Sequence, residues 1–500
     1  MSGRAGDQVV ASPAPRRSLR SAVVGGLAWK GASQVVLQIL RLILAISLAR
    51  LLSPEEVGIA AMVIVFATFI IPFADVGLGA ALVQRSKVTP VDVSTVFWAS
   101  LGAGAGFTLL GLAAAHPLAA FYGEADVAPL FMVLSLAFVI TSLSATHRSL
   151  LVRELRFRDL ETRVVVSYAL GVPAAIVVAA MTHSAWALVT FELVSASVST
   201  LLLWLMMRRR PRLAFSRSTL RDFGVFGAQV LGSRLFLDLS QIVDKLVVGR
   251  WLGAAPLGIY ALGASVVLGP MARVAAPVQE VLFPAFSRVQ GNKEQIRDAW
   301  LRSVRLLATV VAPAMLGMIV VAGDFVPVLL GERWADAVPV IRLLAVAGMV
   351  VALQSLSSIV LQAIDRPREA MALAALSLAS AVSAIAIGLR WGVTGVAAAY
   401  AIQAVLVTPA YVFVSTRRLG VAPFSVVRAA AGPLQAAGLM AVLVLGVHLA
   451  LLDRIGAGPR LVLEILVGFG AFLAALAWRA PEVLGEIRSL RGGASPRIER

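Results

Sequence analysis

Two runs of polar residues lie inside apolar segments of this sequence, and three positions of the first run match three of the second at a spacing of 200 residues. At 100° per residue, the first run occupies an arc of about 80° on a helix. Its members are Lys30, Gln34, Gln38 and Arg41. The second run occupies about 60°. Its members are Arg234, Asp238, Gln241 and Lys245. Each run would therefore present one polar stripe on an otherwise apolar helix.

The chemistry of these stripes is that of an anion site. A charge at membrane depth costs about 3 kcal/mol on insertion scales, so it faces a partner or a water-filled cavity. The balance of the two stripes together with Arg273 is positive. Arginine binds a pyrophosphate through paired hydrogen bonds. We therefore predict that the stripes and Arg273 bind an anionic head group in a central hydrated cavity. The alternative, that the charges only pair with one another, as Arg234 and Asp238 could at i,i+4, stays open.

A second kind of candidate residue lies after an apolar run in the segment FADVGLG. Pro72 precedes this segment and Asp75 lies within it. A proline interrupts the hydrogen bonding of a helix and an aspartate is typical of helix ends. We predict that these two residues form a gate or hinge.

The elements that position these residues are repeated. ARLLSPEEVGIA (49–60) aligns with GRWLGAAPLGIY (249–260), so that Arg50 matches Arg250 and Gly58 matches Gly258. Self-similarity at a fixed spacing indicates a duplicated structural unit. The sequence thus predicts two copies of one membrane bundle.

Composition sets the class of protein. The chain has 500 residues, of which 59% are hydrophobic and 14% charged, with a mean hydropathy of +0.89. Soluble domains carry about 25% charged residues. The chain is therefore predicted to be a polytopic membrane protein. Its net charge of +17 is attributed to loops that set topology and not to nucleic-acid binding.

Apolar runs long enough to cross a bilayer number about fourteen. Lys and Arg concentrate in alternate loops, which by the positive-inside rule puts both termini in the cytoplasm. The predicted fold is all-α, with two six-helix lobes and two C-terminal helices. The predicted regions are a disordered tail (1–20), an N-lobe (21–210), a C-lobe (211–420), helices 13 and 14 (421–480) and a cytoplasmic tail (481–500).

Signatures of catalysis are missing from the sequence. There is no GxxxxGK[ST] phosphate loop and no HExxH motif, and cysteine is absent. The four histidines are scattered, and no loop is long enough for a catalytic domain. We predict that the chain is not an enzyme and that it uses no metal and no cofactor.

Several further segments give the chain a family resemblance. It resembles the Wzx-type oligosaccharide exporters of the multidrug/oligosaccharidyl-lipid/polysaccharide flippase superfamily, in the branch of colanic-acid exporters. The segments are ARLLSPEEVGIAAMVIVF (49–66), FADVGLGAALVQR (73–85), LLVRELRFRDL (150–160), VLFPAFSRVQGNKEQIRDAWLRSVRLLA (281–308), LLGERWADAVPVIRLLAVAG (329–348) and LQAIDRPREA (361–370). The resemblance implies alternating access between two lobes. Its implied substrate is an undecaprenyl-pyrophosphate-linked oligosaccharide, moved from the cytoplasmic to the periplasmic leaflet for lipopolysaccharide or exopolysaccharide synthesis.

The expected partners are this lipid-linked oligosaccharide, membrane lipids, a coupling ion (H⁺ or Na⁺) and a polysaccharide polymerase. Three alternatives stay open: a lipid II flippase, a drug/cation antiporter of the same superfamily, and a membrane glycosyltransferase or polymerase. The arginines of the segment 148–163 raise one more question. They either set topology or gather anionic lipid-linked substrate at the cytoplasmic surface.

Overall fold

In a computed structural model the chain is described over residues 19–74, 77–85, 87–207, 210–224, 227, 242–288, 292–483 and 485. Within these ranges the regular structure is helical throughout. The chain divides into two compact units, Met1–Gly258 and Ile259–Arg500. The division into lobes at residues 210 and 211 stays a prediction.

The first unit begins with long apolar helices. They are α1 (Leu19–Leu51), α2 (Pro54–Ala74), α3 (Leu78–Gln84), α4 (Pro90–Tyr122), α5 (Val127–Arg153), α6 (Phe157–Thr182), α7 (Trp186–Met206) and α8 (Val243–Leu252). Residues 217–224 are also helical. Helix α9 (Ala254–Arg288) starts in this unit and continues into the second.

The second unit contains six more long helices. They are α10 (Lys293–Phe325), α11 (Ala337–Ala363), α12 (Pro367–Gly388), α13 (Gly392–Leu419), α14 (Phe424–Leu451) and α15 (Ala457–Arg479). A π-helical turn (Val326–Leu330) and a 3₁₀ turn (Glu332–Trp334) follow α10, and a 3₁₀ turn (Leu389–Trp391) separates α12 from α13.

Eleven segments of the described chain are long and apolar enough to cross a membrane. One of them, Pro367–Leu419, contains both α12 and α13. Most of predicted span seven (223–248) lies outside the described residues. The prediction of an all-α polytopic membrane protein is confirmed.

One predicted span differs from the structure. The apolar run 56–83 predicts a single helix, yet α2 ends at Ala74 and α3 begins at Leu78. Gly77 between them has a φ of 64°, a left-handed conformation that a continuous helix does not allow and that glycine adopts without strain. An apolar run alone carries no signal for such a break, because both helices are apolar.

Small residues bring neighbouring helices together in the first unit. A Cβ atom on Gly104 or Gly111 of α4 would lie 2.3 or 2.2 Å from the hydroxyl oxygen of Ser142 or Ser135 in α5. The Thr108 hydroxyl, buried between them, donates to the Ser135 carbonyl at 2.9 Å. Small side chains and cross-helix hydrogen bonds are the usual means of helix association in lipid.

Candidate functional site

The first polar stripe lies on one side of α1 as predicted from its spacing. Its four members, Lys30, Gln34, Gln38 and Arg41, are all half-buried. The opposite side of the helix exposes apolar residues, including Val35 (62%) and Ile39 (53%), whereas Leu37 is buried (1%). In a membrane helix such an exposed apolar face suits lipid, so the polar face is the one turned toward protein.

Arg41 is the member of this stripe with the most informative surroundings. Its guanidinium carbon lies 5.0 Å from the centre of the Tyr168 ring, on the neighbouring helix α6. Its Nη1 atom is buried and has no hydrogen-bond partner. A cation held by an aromatic ring, with a donor left over in a buried place, is a ready contact for an anion.

A pocket of about 220 Å³ with both apolar and polar residues in its lining lies in the same unit, and Tyr168 forms part of its wall. Its lining includes Glu192 of α7 and the hydroxyl groups of Thr68, Thr141, Ser167, Ser195 and Ser199. A carboxylate and several hydroxyl oxygens can accept hydrogen bonds from a ligand rich in hydroxyl groups. The pocket is therefore chemically suited to a sugar.

Glu192 was missed by sequence reasoning. It stands alone in the apolar run WALVTFELVSAS (186–197), and no partner lies at helical spacing. The signal that could have found it is its mere presence, because an ionisable residue inside a span marks a functional site by default.

The second stripe is described only in part. Arg234, Asp238 and Gln241 lie outside the described residues, as does Asp75. Lys245 is half-buried on α8, and its backbone N–H donates to the Asp244 carboxylate at 2.8 Å. The predicted Arg234–Asp238 ion pair and the predicted central cavity stay predictions.

The remaining predicted residues occupy separate places. Pro72 lies within α2, of which only the backbone is described at that point. Arg273 is half-buried on α9, and its side chain lies along its own helix near Gly269. Its substrate role stays a prediction.

The repeated motif has a clear structural role in the first unit. Ser53 accepts a hydrogen bond from the Glu56 N–H at 3.2 Å and so caps α2. The Glu56 carboxylate accepts from the N–H of Ala185 at 2.5 Å, at the start of α7. An acidic side chain at a helix N-terminus is stabilising, so one short motif fixes the starts of two helices.

The two matched glycines of the repeat make a reciprocal contact. A Cβ atom on Gly58 would lie 1.8 Å from the Ala254 carbonyl oxygen, and one on Gly258 would lie 1.8 Å from the Pro54 carbonyl oxygen. All four residues belong to the first unit. Backbone approaches backbone here so closely that only glycine fits at either position.

Three arginines of the segment 148–163 contact other residues of the first unit. Arg153 Nη1 donates to the carbonyl of Leu82 at 2.8 Å and to that of Arg85, at the end of α3. Arg156 pairs with Asp159 at 2.6 Å. Arg158 stacks over the ring of Trp29 at 5.1 Å. These contacts give the segment a structural task that the sequence did not predict.

The fold is that of a polytopic membrane protein, and solved structures share it. The chain superimposes on the lipid II flippase MurJ in an inward closed conformation with a TM-score of 0.76, at 14% identity, covering 92% of this chain and 100% of that one. It superimposes on an inward-facing multidrug transporter of the MATE family with a TM-score of 0.60, at 18% identity, covering 76% and 94%.

Three relatives are similar in sequence. The lipopolysaccharide biosynthesis protein WzxC of Escherichia coli is 29% identical over 66% of this chain and 68% of its own. The teichuronic acid biosynthesis protein TuaB of Bacillus subtilis is 27% identical over 70% and 73%. The succinoglycan biosynthesis transport protein ExoT of Rhizobium meliloti is 31% identical over 60% and 61%.

A family model described as "Polysaccharide biosynthesis protein" matches residues 47–339. The chain belongs to this family, and the predicted resemblance to polysaccharide flippases is confirmed. It is a multi-pass membrane protein of polysaccharide biosynthesis whose fold is similar to that of MurJ.

Proposed function

We propose that this chain moves a polyprenyl-pyrophosphate-linked oligosaccharide from the cytoplasmic to the periplasmic leaflet of a bacterial inner membrane. The two predicted lobes would alternate access to the substrate, with both termini in the cytoplasm and without catalysis. A polysaccharide polymerase would consume the product. The names of WzxC and ExoT, which refer to lipopolysaccharide biosynthesis and succinoglycan transport, support a sugar substrate.

The observation that carries the substrate chemistry is the buried, unpartnered Nη1 of Arg41. Arg41 sits at membrane depth on α1, held by Tyr168, which also lines the pocket with Glu192. In this proposal Arg41 binds the pyrophosphate and the hydroxyl-lined pocket receives a sugar. The likenesses to a lipid II flippase and to multidrug transporters concern the fold and carry no substrate to this chain.

The test is a flipping assay with the full chain in lipid vesicles. A polyprenyl-pyrophosphate disaccharide with a fluorescent label would report its leaflet through quenching by a membrane-impermeant reductant. We expect Arg41→Ala to lower the initial flipping rate about 10- to 100-fold, because a hydrogen bond to a charged group contributes about 1.5–3 kcal/mol. Arg41→Lys should retain part of the rate, since lysine keeps the positive charge but lacks the paired N–H donors of the guanidinium.

The matched control is Arg390→Ala, which removes an exposed arginine of the second unit and should leave the rate unchanged. Glu192→Gln separates the two parts of the site. It should weaken flipping of the disaccharide and spare a polyprenyl pyrophosphate without sugar. Normal flipping of the labelled disaccharide by Arg41→Ala would refute the pyrophosphate assignment, and absence of any flipping by the wild-type chain would refute the proposed substrate class.

A further inference from the structure

A cluster of four ionisable side chains joins the C-terminal helix hairpin to α10. Asp324 lies in the last turn of α10, His448 lies near the end of α14, and Arg460 and Glu464 lie near the start of α15. The side chains of Asp324, Arg460 and Glu464 are 6%, 8% and 0% exposed, and that of His448 is 18% exposed. Neither the family nor the polar stripes account for this cluster.

The contacts within the cluster divide it into two pairs. Arg460 Nε and Nη2 each donate to one carboxylate oxygen of Asp324 at 2.5 Å, and Nη1 donates to the Leu452 carbonyl at 2.7 Å. His448 Nδ1 lies 2.8 Å from Glu464 Oε1 and 3.5 Å from Asp324 Oδ2. The second carboxyl oxygen of Glu464, Oε2, is buried and has no hydrogen-bond partner.

Counting charges shows what the second pair requires. Arg460 and Asp324 neutralise each other through a bidentate ion pair. Without a further proton, His448 and Glu464 would carry one net negative charge in a buried place, which is strongly disfavoured. One proton, shared between imidazole and carboxyl, makes the whole cluster neutral.

Other charged groups around the cluster leave this count unchanged. Asp453 and Arg454, in the turn between α14 and α15, are exposed and opposite in sign. Arg342 of the neighbouring helix α11 donates its Nε–H to the Ile319 carbonyl at 3.0 Å. Among the described residues, Arg460 is the only Lys or Arg within 4 Å of the Glu464 carboxyl, so no further cation takes the place of the proton.

A metal ion fits this place less well than a proton does. Donor atoms of Asp324, His448 and Glu464 lie within 4.8 Å of one another. However, both oxygens of Asp324 already accept from Arg460, and Arg460 Nε also lies 3.9 Å from Glu464 Oε1. A guanidinium in this position repels a second cation.

We propose that Asp324, His448, Arg460 and Glu464 form a one-proton binding site that ties protonation to the docking of the C-terminal hairpin on α10. The proton lies between His448 and Glu464. It enters through His448, the most exposed member. None of its four residues is a proposed substrate contact, so its test does not use transport.

The first experiment measures the unfolding midpoint of the full chain in detergent as a function of pH. Above about pH 6.5 an unfolded histidine has released its proton, so the folded state then holds one proton more than the unfolded state. Stability should therefore fall as pH rises from there until the folded state also loses this proton. Over that range the unfolding constant should change about tenfold per pH unit. Glu464→Gln, which is neutral without the proton, should abolish this dependence. Glu332→Gln, which alters an exposed carboxylate beyond the end of α10, should retain it.

The second experiment needs only the wild-type chain and covers the case in which Glu464→Gln fails to fold. Hydrogen exchange of residues 440–470, corrected for the intrinsic rate, should lose protection at high pH, whereas residues 130–150 of α5 should not. Equal pH slopes for the wild type and Glu464→Gln, or pH-independent protection of the hairpin, would overturn the proposal. So would stabilisation of the wild type, but not of Glu464→Gln, by zinc chloride or sodium chloride, since that result would indicate a cation site.

Discussion

Arg153 illustrates how an arginine at the edge of the membrane acts as a structural residue. The last carbonyl groups of a helix have no partner within the helix. Arg153 Nη1 reaches from the end of α5 to the carbonyls of Leu82 and Arg85, at the end of α3. A positive charge is also favourable at a helix C-terminus. The guanidinium therefore joins α5 to α3 and supplies a hydrogen-bond donor to the last carbonyl groups of α3.

Replacing Arg153 should destabilise the protein before it affects any substrate. We expect Arg153→Gln to lower the free energy of unfolding by about 1.5–3 kcal/mol, because hydrogen bonds from a charged donor are lost. Arg158→Gln, which loses a stacking contact with Trp29, should cost only about 0.5–1 kcal/mol. Chemical denaturation of both variants in detergent measures the difference. Reduced export by Arg153→Gln at unchanged stability would instead favour a role in gathering substrate.

The sequence predicts the role of some residues better than that of others. The stripe of α1 was predictable because four polar residues recur at helical spacing on one face, and the structure leaves all four half-buried there. The ion pair of Asp324 with Arg460 was not predictable. Its members are separated by 136 positions and lie on different helices. A pattern within one helix cannot reveal a partner on another.

The repeated motif lies at the starts of two helices and determines how they pack. Helix α2 begins after Ser53 and α9 begins at Ala254, and the two first turns cross where Gly58 and Gly258 lie. At each glycine, a backbone carbonyl oxygen of the other helix occupies the space that a side chain would need. The match between the two motifs thus indicates a packing requirement, which a sequence comparison alone leaves unexplained.

Alanine at either glycine should prevent these helices from packing. We expect Gly58→Ala and Gly258→Ala each to cost more than about 3 kcal/mol, at or beyond the upper end for overpacked sites, since the obstacle is backbone. Gly102→Ala in α4, where a Cβ meets nothing within 4 Å, should instead stabilise its helix by about 0.5–1 kcal/mol. The amount of folded protein after detergent extraction separates the variants. Wild-type yield from Gly58→Ala would contradict the close contact.

At the scale of the whole molecule, the charge of the loops determines the orientation in the membrane. Lys and Arg outnumber Asp and Glu by 44 to 27, and their positions alternate with the predicted spans. By the positive-inside rule the basic loops stay in the cytoplasm. The orientation is thus a prediction from the sequence, since the positions of the helices do not show which side faces the cytoplasm.

Reporter fusions test this orientation directly. An enzyme active only in the periplasm should be active when it is fused after Gly123 or Gly331 and silent after Arg158, Arg212 or Asn292. A reporter that folds only in the cytoplasm should give the opposite pattern at the same positions and serves as the control. Periplasmic activity after Arg212 would show that the span count before it is wrong.

The reciprocal contact of Gly58 and Gly258 has a consequence for the origin of the chain. Position 58 meets residue 254 while position 258 meets residue 54, which is the pattern of an interface across a two-fold axis, where one patch binds its own copy. Such a patch would have closed a homodimer of a chain half as long before its gene was doubled. In a homodimer, one mutation would change both glycines at once, whereas in the fused chain each is a separate position. Each glycine therefore constrains the other. We expect the two halves to have diverged least in this part of the chain.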